Sequence, residues 1–81
     1  MEQFQLTDEL IIKIANLILA KKNSQLKKLV NDIHFADMAD IINLLNEDQG
    51  VYLIKLFDSE KTSEILTELD ENVREKILKI L

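Results

Sequence analysis

Glu60, Glu64 and Glu68 recur at four-residue spacing, which on a helix places three carboxylates along one side. Like charges so arranged cost a helix about 0.2–0.5 kcal/mol per pair, a penalty that a nearby cation offsets. The ion that suits such a row is a hard one. A small hard divalent cation prefers oxygen ligation, keeps several of its waters and takes only one or two carboxylates from a surface. The same row also serves as a plain solvated helix face.

A second set is Asp32, His34 and Asp37. Transition-metal sites need three or four converging ligands, usually with cysteine or further histidine, and this chain has one histidine and no cysteine. His34 fits better at a joint between helices, where its ring can hydrogen-bond the free amides of the next helix. Asp37 and Asp40 suit the dipole and surface of that helix, with an ion-binding role still open to either. No nucleophile stands beside a base, and there is neither a glycine-rich phosphate loop nor a histidine pair, so enzymatic readings lack their parts. Phe35, Tyr52 and Phe57 have the spacing of core aromatics rather than of a stacking platform.

The elements that hold these residues follow from composition. The chain has 81 residues, 47% apolar and 31% charged, with no proline and one glycine. That is globular rather than disordered, and all-α, since strands need turn residues and β-branched or aromatic runs. A chain this short buries only about 60% of its unfolded surface and is marginal alone. Absence of cysteine suits a reducing compartment. The opening MEQFQLTDEL is too acidic for a signal peptide, and no apolar run reaches the roughly 18 residues of a membrane helix, so the segment reads as soluble and not inserted in a bilayer.

Net charge is −5 and uneven: residues 1–40 carry five lysines and six acids, residues 41–81 five basic residues and nine acids. The acidic half repels phosphate backbones, which excludes nucleic acid as a partner and favours cations or basic surfaces. Lys21-Lys22 and Lys27-Lys28 are two short pairs, below the about four to eight basic residues that mark anionic-lipid recognition.

Thr7 is an N-cap with Asp8 and Glu9 in the first turn, and Leu10, Ile11, Ile14, Leu17 and Ile18 follow at helical spacing. Ile12 and Leu19 widen the stripe and predict a helix covered on more than one side. This leading helix occupies residues 1–23, and a shorter helix runs from Ser24 to Asp32. From there an apolar-polar-acidic mark returns every twelve residues, at Leu45-Asn46-Glu47, Phe57-Asp58-Ser59 and Leu69-Asp70-Glu71. Asn46, Asp58 and Asp70 read as caps, with Gln49 completing a capping box on Asn46. Helices of about ten residues are marginal in isolation and must be held by packing, and two-residue joints fold consecutive helices back on one another. The expected architecture is a small right-handed superhelix, an α-solenoid of short helical hairpins with five or six helices, joined near Asn23, His34, Asn46, Asp58 and Asp70. Ile80-Leu81 end the chain inside an apolar pattern. They predict an exposed final helix, further repeats beyond it, and a possible homodimer through that end.

Three segments, Ile33-His34-Phe35-Ala36-Asp37-Met38-Ala39, Thr62-Ser63-Glu64-Ile65-Leu66 and Leu69-Asp70-Glu71-Asn72-Val73, occur in an order and spacing that resemble the N-terminal cytoplasmic domain of the MgtE family of bacterial magnesium transporters. Residues 24–81 carry the likeness. Phe35 replaces the family's usual proline, and Thr62-Ser63 its usual alanine pair. The resemblance implies a regulatory, magnesium-sensing domain on the cytoplasmic side of the bacterial inner membrane, with the 81 residues a fragment of it. In that family Mg2+ bridges the N domain to the CBS domains of the same transporter chain and favours the closed pore. The family's contributing glutamate falls on Glu64, with Glu60, Glu68 and Asp37 as further candidates. The alternative is a helical protein-interaction module without ion sensing. One version is a stand-alone scaffold. Another resembles the middle domain of the flagellar motor switch protein, whose Glu-His-Pro-Gln opening Asp32-Ile33-His34-Phe35-Ala36 does not reproduce.

Overall fold

The computed structural model describes residues 6–80, and among these the chain is helical throughout, without a strand. Six helices follow one another: α1 Asp8–Leu19, α2 Asn23–Val30, α3 Phe35–Leu44, α4 Glu47–Ile54, α5 Ser59–Glu68 and α6 Glu71–Ile80. The all-α expectation and the short-helix rhythm both hold. Leu81, the last apolar residue of the final stripe, lies outside the described residues.

The joints are built from side-chain caps. Thr7 Oγ1 accepts from Leu10 N–H at 3.2 Å, and Asp58 Oδ1 accepts from Lys61 N–H at 2.8 Å. Asn46 and Gln49 form the reciprocal capping box: Gln49 N–H donates to Asn46 Oδ1 at 2.8 Å, and Asn46 N–H donates to Gln49 Oε1 at 3.0 Å. Each bond satisfies an amide that the first turn of a helix otherwise leaves without a partner. Asp70 holds the matching place before α6, where its carbonyl accepts from Arg74 N–H at 2.8 Å.

The joint between α1 and α2 differs from the expectation. Helix α2 begins at Asn23, with Lys22 at the cap position and no side-chain cap bond. The turn is set instead by the end of α1. Lys21 takes a left-handed backbone with φ 56°. Lys22 N–H reaches back to Leu17 O, and Lys21 N–H to Ile18 O, each at 3.0 Å. This is the Schellman arrangement, which normally places glycine where Lys21 stands. Asn23 Oδ1 is free of cap duty and accepts from the Tyr52 hydroxyl, tying the start of α2 to α4.

Packing corrects a second detail. Of the consecutive helices α1 packs on α2 and α3 on α4, but from α3 onward the most extensive contacts join alternate helices, α3 to α5 and α4 to α6, while α1 also packs on α4. The result is two interleaved rows rather than a row of independent hairpins. One apolar core runs through it, with Ile14, Leu26, Val30, Met38, Ile41, Ile42, Leu53, Ile54, Ile65 and Ile77 all buried. Phe35, Tyr52 and Phe57 pack against its edge, as core aromatics should. The Cα radius of gyration is 11.8 Å, matching the about 12 Å of a compact chain this long. Gly50 lies buried in α4, where a Cβ would stand 3.2 Å from Ile42 Cγ2 and 3.4 Å from Ile77 Cδ1. Its missing side chain lets α4 sit closely between α3 and α6.

Ile12 and Leu19 do not find the cover that the apolar pattern predicts. They are 58% and 84% exposed, on the side of α1 opposite buried Ile14. On α6, Ile77 is buried, while Leu78 and Ile80 are exposed.

The left-handed turn yields a direct test. An L-residue there costs about 1–2 kcal/mol that glycine avoids, and glycine returns part of it through a freer unfolded chain. Lys21→Gly should therefore stabilise the protein by about 0.5–1 kcal/mol, read as a rise of the urea midpoint at constant slope. A lowered midpoint would mean that Lys21 does something in the folded state beyond completing the turn.

Candidate acidic groove

Glu60 and Glu64 project from successive turns of α5, whose register is set by the Asp58 cap below them and by Ile65 buried on the opposite side. Both are exposed. With Asp32, His34, Asp58 and Lys61 they line an open groove of about 340 Å³ where α5 meets the joint between α2 and α3. The packing of α5 on α3 thus brings together two polar stretches, around Asp32–His34 and Asp58–Glu64, that are 24 residues or more apart in sequence. Glu68 lies a further turn along α5, outside the groove, and Asp37 sits half-buried in the first turn of α3, also outside it.

His34 has the capping role that its position predicts. Its Nδ1 accepts from Ala36 N–H at 3.2 Å at the start of α3. Its ring lies 4.2 Å from that of Phe35, centre to centre, tilted by 31°. Asp58 is similarly engaged, one carboxylate oxygen being held by the amide of Lys61. The groove therefore contains two residues engaged in cap bonds, His34 and Asp58, and three carboxylates that are not, Asp32, Glu60 and Glu64, of which Glu60 lies in the first turn of α5.

Lys61 is the residue that sequence reasoning missed. Its ammonium donates to Asn31 O at 3.1 Å and stands 4.9 Å above the centre of the Phe57 ring. It thus latches α5 to the end of α2, satisfying a carbonyl that the helix end leaves open. It also places a positive charge among the carboxylates. The only sequence signal was a lysine three residues after a cap, a common arrangement that points nowhere by itself. Among the described residues, no three histidine or acidic side chains converge closely enough to hold an ion unaided. Glu60 and Glu64 can supply outer parts of an oxygen shell, with water or another surface supplying the rest.

The described residues form a helical stack with an acidic groove at one joint, and no helix among them is long and apolar enough to cross a membrane. The comparison with known families is more specific. The profile of the MgtE intracellular N domain matches residues 33–81, more than half the chain. The chain belongs to that family, the intracellular N-terminal part of MgtE-type magnesium transporters. No curated protein and no solved structure matches the chain. The matched segment begins next to His34 and takes in α3 to α6, leaving α1 and α2 outside it.

The His34 cap is testable apart from any ion. Removing a side-chain cap costs about 0.5–2 kcal/mol. His34→Ala should lower stability by that amount, and His34→Asp should recover most of it, since aspartate caps well. Equal losses in both, measured by urea unfolding, would assign the effect to the ring's packing on Phe35 instead.

Proposed function

We propose that this chain is a magnesium-sensing regulatory domain of an MgtE-type transporter, on the cytoplasmic face of the bacterial inner membrane, and that Glu64, with Glu60, lends carboxylates to Mg2+ shared with the CBS domains of the same transporter. The observation that carries this reading is the joint one of family and geometry. The chain belongs to the MgtE intracellular N domains, and the two glutamates stand exposed and uncommitted on one groove. Glu68 and Asp37, outside the groove, are weaker candidates for the same ion.

The mechanism is neutralisation of charge between two surfaces. Without the ion, acidic faces of the N and CBS domains repel each other. With it they are bridged, and the compact state gains population in proportion to the ion's differential affinity for that state. Lys61 moderates the groove, since an ammonium beside the glutamates opposes cation entry. A single exposed carboxylate does not displace the tightly held waters of magnesium, so binding becomes useful only where both surfaces contribute.

Glu64→Gln keeps the shape and removes the charge. In the full-length transporter it should raise the magnesium concentration at which the linker between the N and CBS domains becomes protected from protease. Stability should move by no more than about 0.5 kcal/mol, as expected for a surface position. An unchanged protection curve would leave Glu64 as a solvated helix face and would favour an interaction module without ion sensing.

Exposed Leu78 and Ile80 on α6 support a further element of the proposal, self-association through that helix. Sedimentation of the 81-residue chain should show dimer growing with concentration, and Leu78→Ser with Ile80→Ser should abolish it. A monomer at all concentrations removes this element.

A further inference from the structure

Among the described residues, two hydrogen bonds join groups more than eight residues apart, and both end on α2 or its cap. At the start of α2, Asn23 Oδ1 accepts from the Tyr52 hydroxyl of α4. At its end, the C-cap Asn31 offers its carbonyl oxygen to the Lys61 ammonium of α5 at 3.1 Å. Helix α2 packs extensively on α1 and no more than lightly on α3 to α6. Leu26 and Val30 anchor it in the core, and the two bonds fix its ends.

Lys61 is ill placed for its own helix. It is the third residue of α5, in the first turn, where the helix dipole disfavours a positive charge. Its ammonium crosses instead to the negative end of α2, with the Phe57 ring 4.9 Å away beneath it. Asp32, Glu60 and Glu64 line the same groove, yet the one side-chain ion pair among the described residues is Glu47 with Lys76, at 3.7 Å. A carbonyl and an aromatic face hold Lys61, and the carboxylates beside it are left for another cation. Hard divalent ions take carbonyl as well as carboxylate oxygen, so the ammonium sits on an oxygen that such an ion would itself use.

We infer that Lys61 is an ion-responsive latch: a divalent cation reaching Glu60 and Glu64 displaces its ammonium from Asn31 O and frees the end of α2. Two positive charges in one small groove repel each other, and the flexible four-carbon stem lets the ammonium leave without moving α5. Linkage makes the effect mutual, since the latch weakens ion binding by the same factor by which the ion weakens the latch. The groove is thereby coupled to the α1–α2 hairpin, which lies outside the family match. Release of the latch rests on the proposed entry of a divalent ion at Glu60 and Glu64; the latch itself does not.

The test compares the 81-residue chain with Lys61→Met and Glu64→Gln, using manganese(II) as the probe because it broadens nearby amide signals even when bound weakly. Lys61→Met keeps an apolar stem against Phe57 and removes the charge and the donor. Broadening at residues 58–65 should set in at about tenfold lower manganese in Lys61→Met than in the parent, and at higher manganese in Glu64→Gln. A second measurement needs no variant. The Ile33 amide is held on Val30 O at 3.1 Å just beyond α2. Magnesium, against sodium at equal ionic strength, should make it exchange its hydrogen about fivefold faster in the parent. In Lys61→Met that exchange should already be fast and should ignore magnesium. Equal manganese sensitivity of parent and Lys61→Met, or Ile33 exchange that magnesium leaves unchanged, would overturn the latch, while broadening at Glu64 would keep the ion reading. Absence of broadening at residues 58–65 in parent and Lys61→Met alike would overturn both.

Discussion

Every helix here is too short to stand alone, and the structure depends on that constraint. Isolated helices below about 12–15 residues are marginal in water, and these run from eight to twelve. Each must start promptly and then bury its apolar stripe against a neighbour. The start is secured by Thr7, His34, Asn46 and Asp58, each accepting from an amide two or three residues on. Burial is secured by alternate helices packing on one another, so that Ile41, Ile42 and Ile65 share one core. Neither part suffices alone: a capped helix without neighbours frays, and at α2, which lacks a side-chain cap bond, the left-handed end of α1 sets the turn instead.

The same constraint makes the groove. A joint gathers polar and acidic residues because caps are polar and first turns favour carboxylates. When α5 packs on α3, the joint before α5 meets the joint before α3. Asp58 and His34 arrive already occupied as caps, while Glu60 and Glu64 arrive free, and Lys61 bridges to Asn31 across the gap. An acidic face is thus a by-product of turning corners in this fold. Uncommitted glutamates on it are what a shared divalent ion would use.

What could be read from the sequence was local. The caps at Thr7, Asn46 and Asp58, the Asn46–Gln49 box and the role of His34 follow from residue type and spacing, because a cap bond spans only two or three residues. The partner of each helix did not follow, since apolar stripes say which side is buried and not against what. For that reason consecutive pairing was expected where alternate packing dominates, and Ile12 and Leu19 were counted as core. The left-handed Lys21 was hidden because glycine is the residue that signals such a turn. Lys61 was hidden because its acceptor, Asn31, is thirty residues away. In the groove, Glu64 and Glu60 were legible as a row. That Glu68 and Asp37 fall outside it needed the fold.

The central claim is that the groove face of α5, and no other acidic surface of the chain, meets the ion. Titrating the isotopically labelled 81-residue chain with magnesium, amide by amide, tests this most directly. Weak, unsaturated shifts confined to residues 58–65 and the 31–35 joint are predicted, reproduced by calcium and absent with sodium at equal ionic strength. Shifts spread evenly over all acidic residues, or centred on Glu68 or Asp37, would contradict the account.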